Sequence, residues 1–185
     1  MRLCLDRNPQ FRIEAAYSMW WSYNQERADM PRIEDLSDAQ RQAVLNFPCF
    51  EYDSAPFVQL REPLEKTKFA LITTAGLHLR NDRPFVPGDQ SYRVISSDTP
   101  AREILQSHNS IGFDRTAIFR DLNVTFPRDR LRELVEQGII GSRTSNDYSF
   151  MGAQTNPKKI LEETGPQVAR LLLDEGAGAV LLTPT

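Results

Sequence analysis

Between Lys68 and Ile95 the chain reads KFALITTAGLHLRNDRPFVPGDQSYRVI, and the first third of that stretch limits the fold more than any other segment. Residues 69–74 form an unbroken β-prone run. It lacks the polar alternation of a strand that faces water on one side, so the expected setting is a sheet covered on both faces. Gly76, tolerant of any backbone conformation, then ends the run. Further strand patterns at 91–95, 103–107 and 122–126, and a buried strand over 177–182, are interleaved with helical ones before Gly138 and over 167–175. Such alternation predicts an α/β fold: an open, mostly parallel sheet with flanking helices. Pro127 stands where a first helical residue is tolerated, and Leu131, Leu134 and Val135 supply that helix with a buried face. Residues 80–88 read as loop, 148–152 as a loop or short strand, and Gly165-Pro166 as a helix break or restart.

Two parts are expected. Residues 1–63 read as an N-terminal helical arm and extended linker, and residues 64–185 as the α/β domain. In the arm, apolar residues at near-helical spacing predict a helix over 8–26. Trp20-Trp21 within it suggests a substrate platform or, since neighbours cannot share one helix face, packing against the domain or a partner. Ser37-Asp38-Ala39-Gln40 is a capping-box signature for a short helix to about Asn46. Pro48, Pro56 and Pro63 then punctuate an extended segment.

A chain of 185 residues with 40% hydrophobic and 25% charged content suits one domain with a sizeable core. Its net charge of −3 leaves no basic footprint for nucleic acid or anionic membrane. Nothing approaches a membrane span or a signal-peptide pattern, so the expected location is cytoplasmic. Cys4 and Cys49 are far apart, without CxxC or histidine at ligand spacing, and read as small apolar side chains. Walker A, GxGxxG and HExxH patterns are absent from the sequence.

Three polar clusters fall at predicted strand ends, where open α/β sheets gather ligands. In the first, Thr73, Thr74, Gly76 and His78 could hold a carboxylate, or the threonines could satisfy local backbone groups. The second is Ser107-His108 with Asp114: a sequential Ser-His pair makes no triad, but a histidine near an aspartate can move a proton. His78 and His108 could also share a metal with Asp89, Asp114 or Asp121, a weaker idea without cysteines. In the third, Asp121 and Asn123 at alternate strand positions could orient an amine and a carboxylate, or cap the next helix. Tyr148 and Phe150-Met151-Gly152 could close over such a site or plug the core, and Arg93 could pair with a substrate carboxylate.

The same residues carry a resemblance. The run 69–78 with Pro84-Phe85, Gly88-Asp89 and 91–95 resembles the selenoprotein B family of glycine, sarcosine, betaine and D-proline reductases. Ser107-His108, Asp121-Leu122-Asn123, Phe126-Pro127, Arg130 to Leu134, Gly138, Ile140-Gly141 and 148–152 extend the match. The resemblance implies an oxidoreductase subunit that cleaves a C–N bond of a small amino acid or related amine. It further implies a pyruvoyl-bearing partner subunit and a thioredoxin-like reductant; the catalytic candidates read from the clusters are His78, His108 and Asp121. Thr73, Thr74, Gly76, Arg93, Asn123 and Tyr148 would contact substrate, with no metal.

In that family a selenocysteine or cysteine follows a strand resembling Leu181-Leu182-Thr183-Pro184-Thr185. The expectation is therefore a domain truncated just before its nucleophile, with codon 186 a UGA and the frame continuing. As written the chain lacks the redox residue. The rival expectation is a complete, non-catalytic α/β module that binds a ligand or partner.

Overall fold

The computed structural model describes residues 32–47, 51, 53–54, 58–108, 110 and 115–184. The helix expected over 8–26, with Trp20-Trp21, lies outside the described residues, as do Cys4, Cys49 and Asp114. The chain divides into two units, Met1–Asp53 and Ser54–Thr185.

In the first unit a 3-10 turn, Ile33–Asp35, precedes helix α1, Asp38–Leu45. The capping box closes as its sequence predicts. The Gln40 amide donates to Ser37 Oγ at 3.4 Å, and the Ser37 amide donates to Gln40 Oε1 at 3.2 Å, which satisfies first-turn donors that have no helical partner. No residue of α1 is buried.

The second unit is built on strand β1, Lys68–Thr73. β2 (Leu77–Leu79), β3 (Tyr92–Ser96), β4 (Ile104–Gln106) and helix α2 (Arg115–Arg120) follow. Helix α3 (Arg128–Glu136), β5 (Ser142–Arg143), β6 (Asn146–Phe150), helix α4 (Gly165–Asp174) and β7 (Ala179–Thr183) complete it. β1 runs parallel to β5 at its start and to β6 at its end, with Phe69 opposite Arg143 and Thr73 opposite Ser149. β7 lies parallel along the other side of β1, from Phe69–Ala179 to Thr73–Thr183. β3 pairs antiparallel with β6, and β2 with β4 forms a separate two-stranded ribbon. The main sheet is mixed and mostly parallel, with helices on its flanks, as the alternating patterns predict.

Period-two alternation in β1 sends Leu71 and Ala70 to opposite faces. Leu71 joins Ala75, Leu77, Ile95, Phe126 and α3's Leu131 in one core; Ala70 joins Tyr148, Phe150 and α4's Val168 and Leu172 in the other. A strand sandwiched between two such layers has no solvent face, which explains its continuous apolar run. Full burial of a side chain such as Leu71 contributes roughly 1.5–3 kcal/mol. The buried Asp147 on β6 accepts two bonds from Arg143 Nη2, at 2.6 and 2.8 Å, and links β5 to β6.

Three elements depart from expectation. Residues 122–126 are not a strand. Asp121 caps a 3-10 turn, Leu122–Val124, and the Phe126 amide reaches back to the Leu122 carbonyl at 2.9 Å. Pro127, with no N–H to give a ladder, turns the chain straight into α3. Gly165-Pro166 does not break its helix. A widened π turn, Ile160–Thr164, runs into α4, with the Gly165 amide reaching Ile160 O. A Cβ at Gly165 would lie 2.6 Å from that oxygen, so glycine lets the widened turn close. Third, β7 is not a buried strand: Val180, Leu181 and Leu182 are 42%, 37% and 64% exposed. Among the described residues β7 pairs with β1 alone, so its outer edge and much of its apolar surface face outward.

Candidate functional site

The carboxyl ends of β1 and β7 meet at one clasp. Thr73 Oγ1 and Thr183 Oγ1 both donate to the Thr125 carbonyl, at 2.9 and 2.7 Å. The Thr74 amide donates to Thr183 O at 3.1 Å, which carries the ladder one residue past the end of β1. The Ala75 amide then donates to Thr73 Oγ1 at 3.2 Å, so the turn is fastened by its own threonine. Gly76 adopts φ +65°, and a Cβ there would come within 3.1 Å of the His108 amide nitrogen and 3.4 Å of Met151 Sδ. Only glycine suits both that conformation and that close approach. The strand end thus brings Thr73, Thr74, Gly76 and the His108 backbone together.

Beside this clasp an apolar cavity of about 930 Å³ opens between the sheet and α4, with Thr74, Met151, Gly152, Gln154 and Leu182 on its walls. None of its described lining residues is charged. Ala153, also on the wall, has φ +52°, a left-handed conformation that costs a residue with a Cβ about 1–3 kcal/mol.

His78 and His108 are both buried, at 3% and 2% exposure, but their imidazoles are held separately. His78 Nδ1 lies 2.8 Å from the Leu79 carbonyl, which can only accept, so Nδ1 carries the proton. In the neutral form of a ring so protonated Nε2 accepts, and Ser107 Oγ lies 2.7 Å from it. The pairing follows from the ribbon. His78 stands opposite Leu105, and Ser107, two residues on, is its diagonal neighbour on the same face. His108 Nδ1 accepts the Ser110 amide at 3.2 Å, and Arg115 donates to the His108 carbonyl at 2.6 Å. Burial first, and the Arg115 charge second, hold the His108 pKa below the usual imidazole range.

The remaining candidates lie in other settings. Asp121 is exposed and accepts the Asn123 amide and side chain, both at 2.9 Å; Asn123 Nδ2 also reaches Asp129 at 2.9 Å. These bonds hold the Asp121 carboxyl below its ordinary pKa and tie the 3-10 turn to the first turn of α3. Arg93 is enclosed. It pairs with Asp89 at 3.2 Å, donates to Ser91 Oγ at 2.7 Å and to the Arg83 carbonyl at 2.9 Å, and lies 4.2 Å from the Phe85 ring centre. Tyr148 is 2% exposed and packs edge-on against Tyr92 at 6.0 Å. Its burial, with Glu175 nearby, pushes the phenol pKa up to about 12.

Sequence reading missed the Ser107–His78 pair because it set Ser107 beside its sequence neighbour His108. It also missed Thr125 and Thr183 as the clasp. The available signal was the Thr73/Thr183 match at the ends of two similar apolar runs, which become adjacent parallel strands.

The comparisons with known proteins agree with one another. D-proline reductase subunit gamma of Acetoanaerobium sticklandii is 40% identical over 121 residues, covering 65% of this chain and 49% of that protein. The sarcosine reductase complex component B subunit beta of Peptoclostridium acidaminophilum is 24% identical over 144 residues, covering 75% of this chain and 33% of that protein. The chain therefore spans about half the length of the first relative and a third of the second. No solved structure matches it. Residues 24–185 match the profile of the glycine/sarcosine/betaine reductase selenoprotein B family, and the chain belongs to that family.

Proposed function

We propose that the chain is the substrate-side portion of a reductase subunit that cleaves a C–N bond in a small amino acid or related amine. The selenolate or thiolate would be carried just beyond Thr185, with a pyruvoyl-bearing partner subunit and a thioredoxin-like reductant. The names of the relatives, which specify D-proline and sarcosine, support the substrate class. The chemistry supplied by such a group is attack on the carbon bearing nitrogen, with electrons drawn from a dithiol.

The observation that carries this reading is the clasp at Thr125. It fixes the tip of β7 against the Thr73–Gly76 turn, so that residues continuing from Thr183 would emerge beside the apolar cavity. An ionised chalcogen at a strand tip, ahead of a helix N-terminus, is stabilised by oriented amides. The uncharged cavity walls would exclude water around the reacting carbon. With no charged side chain there among the described residues, the ammonium and carboxylate of an amino acid would be met by the partner or by later residues. His78 and His108, outside the described lining of that cavity, remain the proton-carrying candidates, with Asp121 a carboxylate at the turn that leads to Thr125.

The test is turnover of D-proline and of sarcosine by the protein extended past Thr185 and purified with its partner subunits, with a dithiol as reductant. Dithiol-dependent product is expected, and it should vanish when the first selenocysteine or cysteine after β7 becomes alanine. Saturable ligand binding without turnover in any combination would instead favour the non-catalytic module.

A further inference from the structure

The reductase reading does not use Ser107. The β2–β4 ribbon holds its hydroxyl 2.7 Å from His78 Nε2, and the Leu79 carbonyl holds the opposite ring nitrogen protonated at 2.8 Å. A hydroxyl aimed at the unprotonated nitrogen of an oriented imidazole is the arrangement that activates a serine. The two groups differ in access. His78 is 3% exposed, whereas Ser107 is only half-buried, and both border a second cavity of about 640 Å³. Its walls include Leu77, Ile104, Ile118, Phe119 and Leu122, and among its described lining residues Arg120 carries the one fixed charge. A fastener between two strands would need neither an open face on the serine nor an apolar chamber in front of it.

We propose that Ser107 is a nucleophile activated by His78, in a cavity that takes acyl donors with small apolar acyl groups, such as esters or thioesters. In the transfer a bond forms between Ser107 Oγ and the acyl carbon, and the serine proton passes to His78 Nε2. The bond from the acyl carbon to the leaving group then breaks, and the leaving group takes that proton from His78. Water reverses the sequence and frees Ser107. Nothing in this depends on the reductase reading, and its test needs neither reductant nor partner.

The 185-residue chain is treated with phenylmethanesulfonyl fluoride, which is small and apolar enough for the cavity. Oγ–S bond formation expels fluoride while His78 takes the proton. Peptide mass mapping should find one adduct, on Ser107, absent from Ser107→Ala and formed at least tenfold more slowly in His78→Gln. No adduct on Ser107, or an equal rate in a folded His78→Gln, overturns the proposal. Should His78→Gln fail to fold, Ser107→Cys in the native His78 background decides. Its thiol should react with iodoacetamide at pH 7 at least tenfold faster than free cysteine, and an equal or slower rate overturns the proposal.

Discussion

Asp89 shows how single residues here are governed by opposing terms. Burial alone would raise its carboxyl pKa, but the Ser91 hydroxyl and amide, with Arg93, together outweigh that and hold it below the ordinary value of 3.8. A carboxylate favoured in the folded state contributes stability above its unfolded pKa, and that contribution is lost as pH falls through the folded value. Asp89→Asn should therefore lower stability at pH 7 by about 1–3 kcal/mol, since Arg93 loses its partner in a largely enclosed site. Urea unfolding at pH 7, 4.5 and 3 should find the gap between the two proteins shrinking below about pH 4, in line with this linkage; a constant gap would contradict the assignment. In the sequence, Gly88-Asp89 and Arg93 were visible as neighbours of the first strand, and the arginine invited a substrate carboxylate. Four residues apart across a turn, the two charges meet each other instead. Asp121 and Asn123 hold a similar lesson, because their spacing reads equally well as one strand face or as a capped turn. Only Pro127 downstream hints at the turn.

Elements were legible where the sequence carries local punctuation. β1 was evident from its apolar run and glycine turn, α1 from its capping box, and α3 from Pro127 and the spacing of its leucines. β7 was legible as a strand, but its apolar run reports only that its side chains avoid water, not which neighbour will cover them; its open edge was legible only as a consequence of a truncated sheet. The Ser107–His78 contact was hidden for a related reason, since the register of an antiparallel ribbon is set by pairing and not by sequence adjacency. An edge strand with exposed Val180, Leu181 and Leu182 is a template for further pairing. The 185-residue chain should associate with itself as its concentration rises. Leu182→Lys, at the most exposed of these positions, should suppress that association while changing monomer stability by less than about 0.5 kcal/mol. Sedimentation velocity over a hundredfold concentration range checks this; a wild-type chain that stays monomeric throughout would show that the edge needs no cover.

For the whole molecule, three observations converge: a mostly parallel sheet, a strand tip clasped against the first strand's turn, and membership of the selenoprotein B family over residues 24–185. Among the described residues no helix is long and apolar enough to cross a membrane. Family membership was legible because the motifs of β1, its turn and β6 lie in order along the chain. The substrate was not, because no charged side chain among the described residues lines the cavity at the clasp. The central claim is that a redox nucleophile follows β7, and the nucleotide sequence after codon 185 tests it most directly. The expected result is an open frame that places a selenocysteine-coding UGA or a cysteine codon within a few positions of β7, with a further cysteine codon two or three positions on. An open frame carrying neither codon there would contradict the claim.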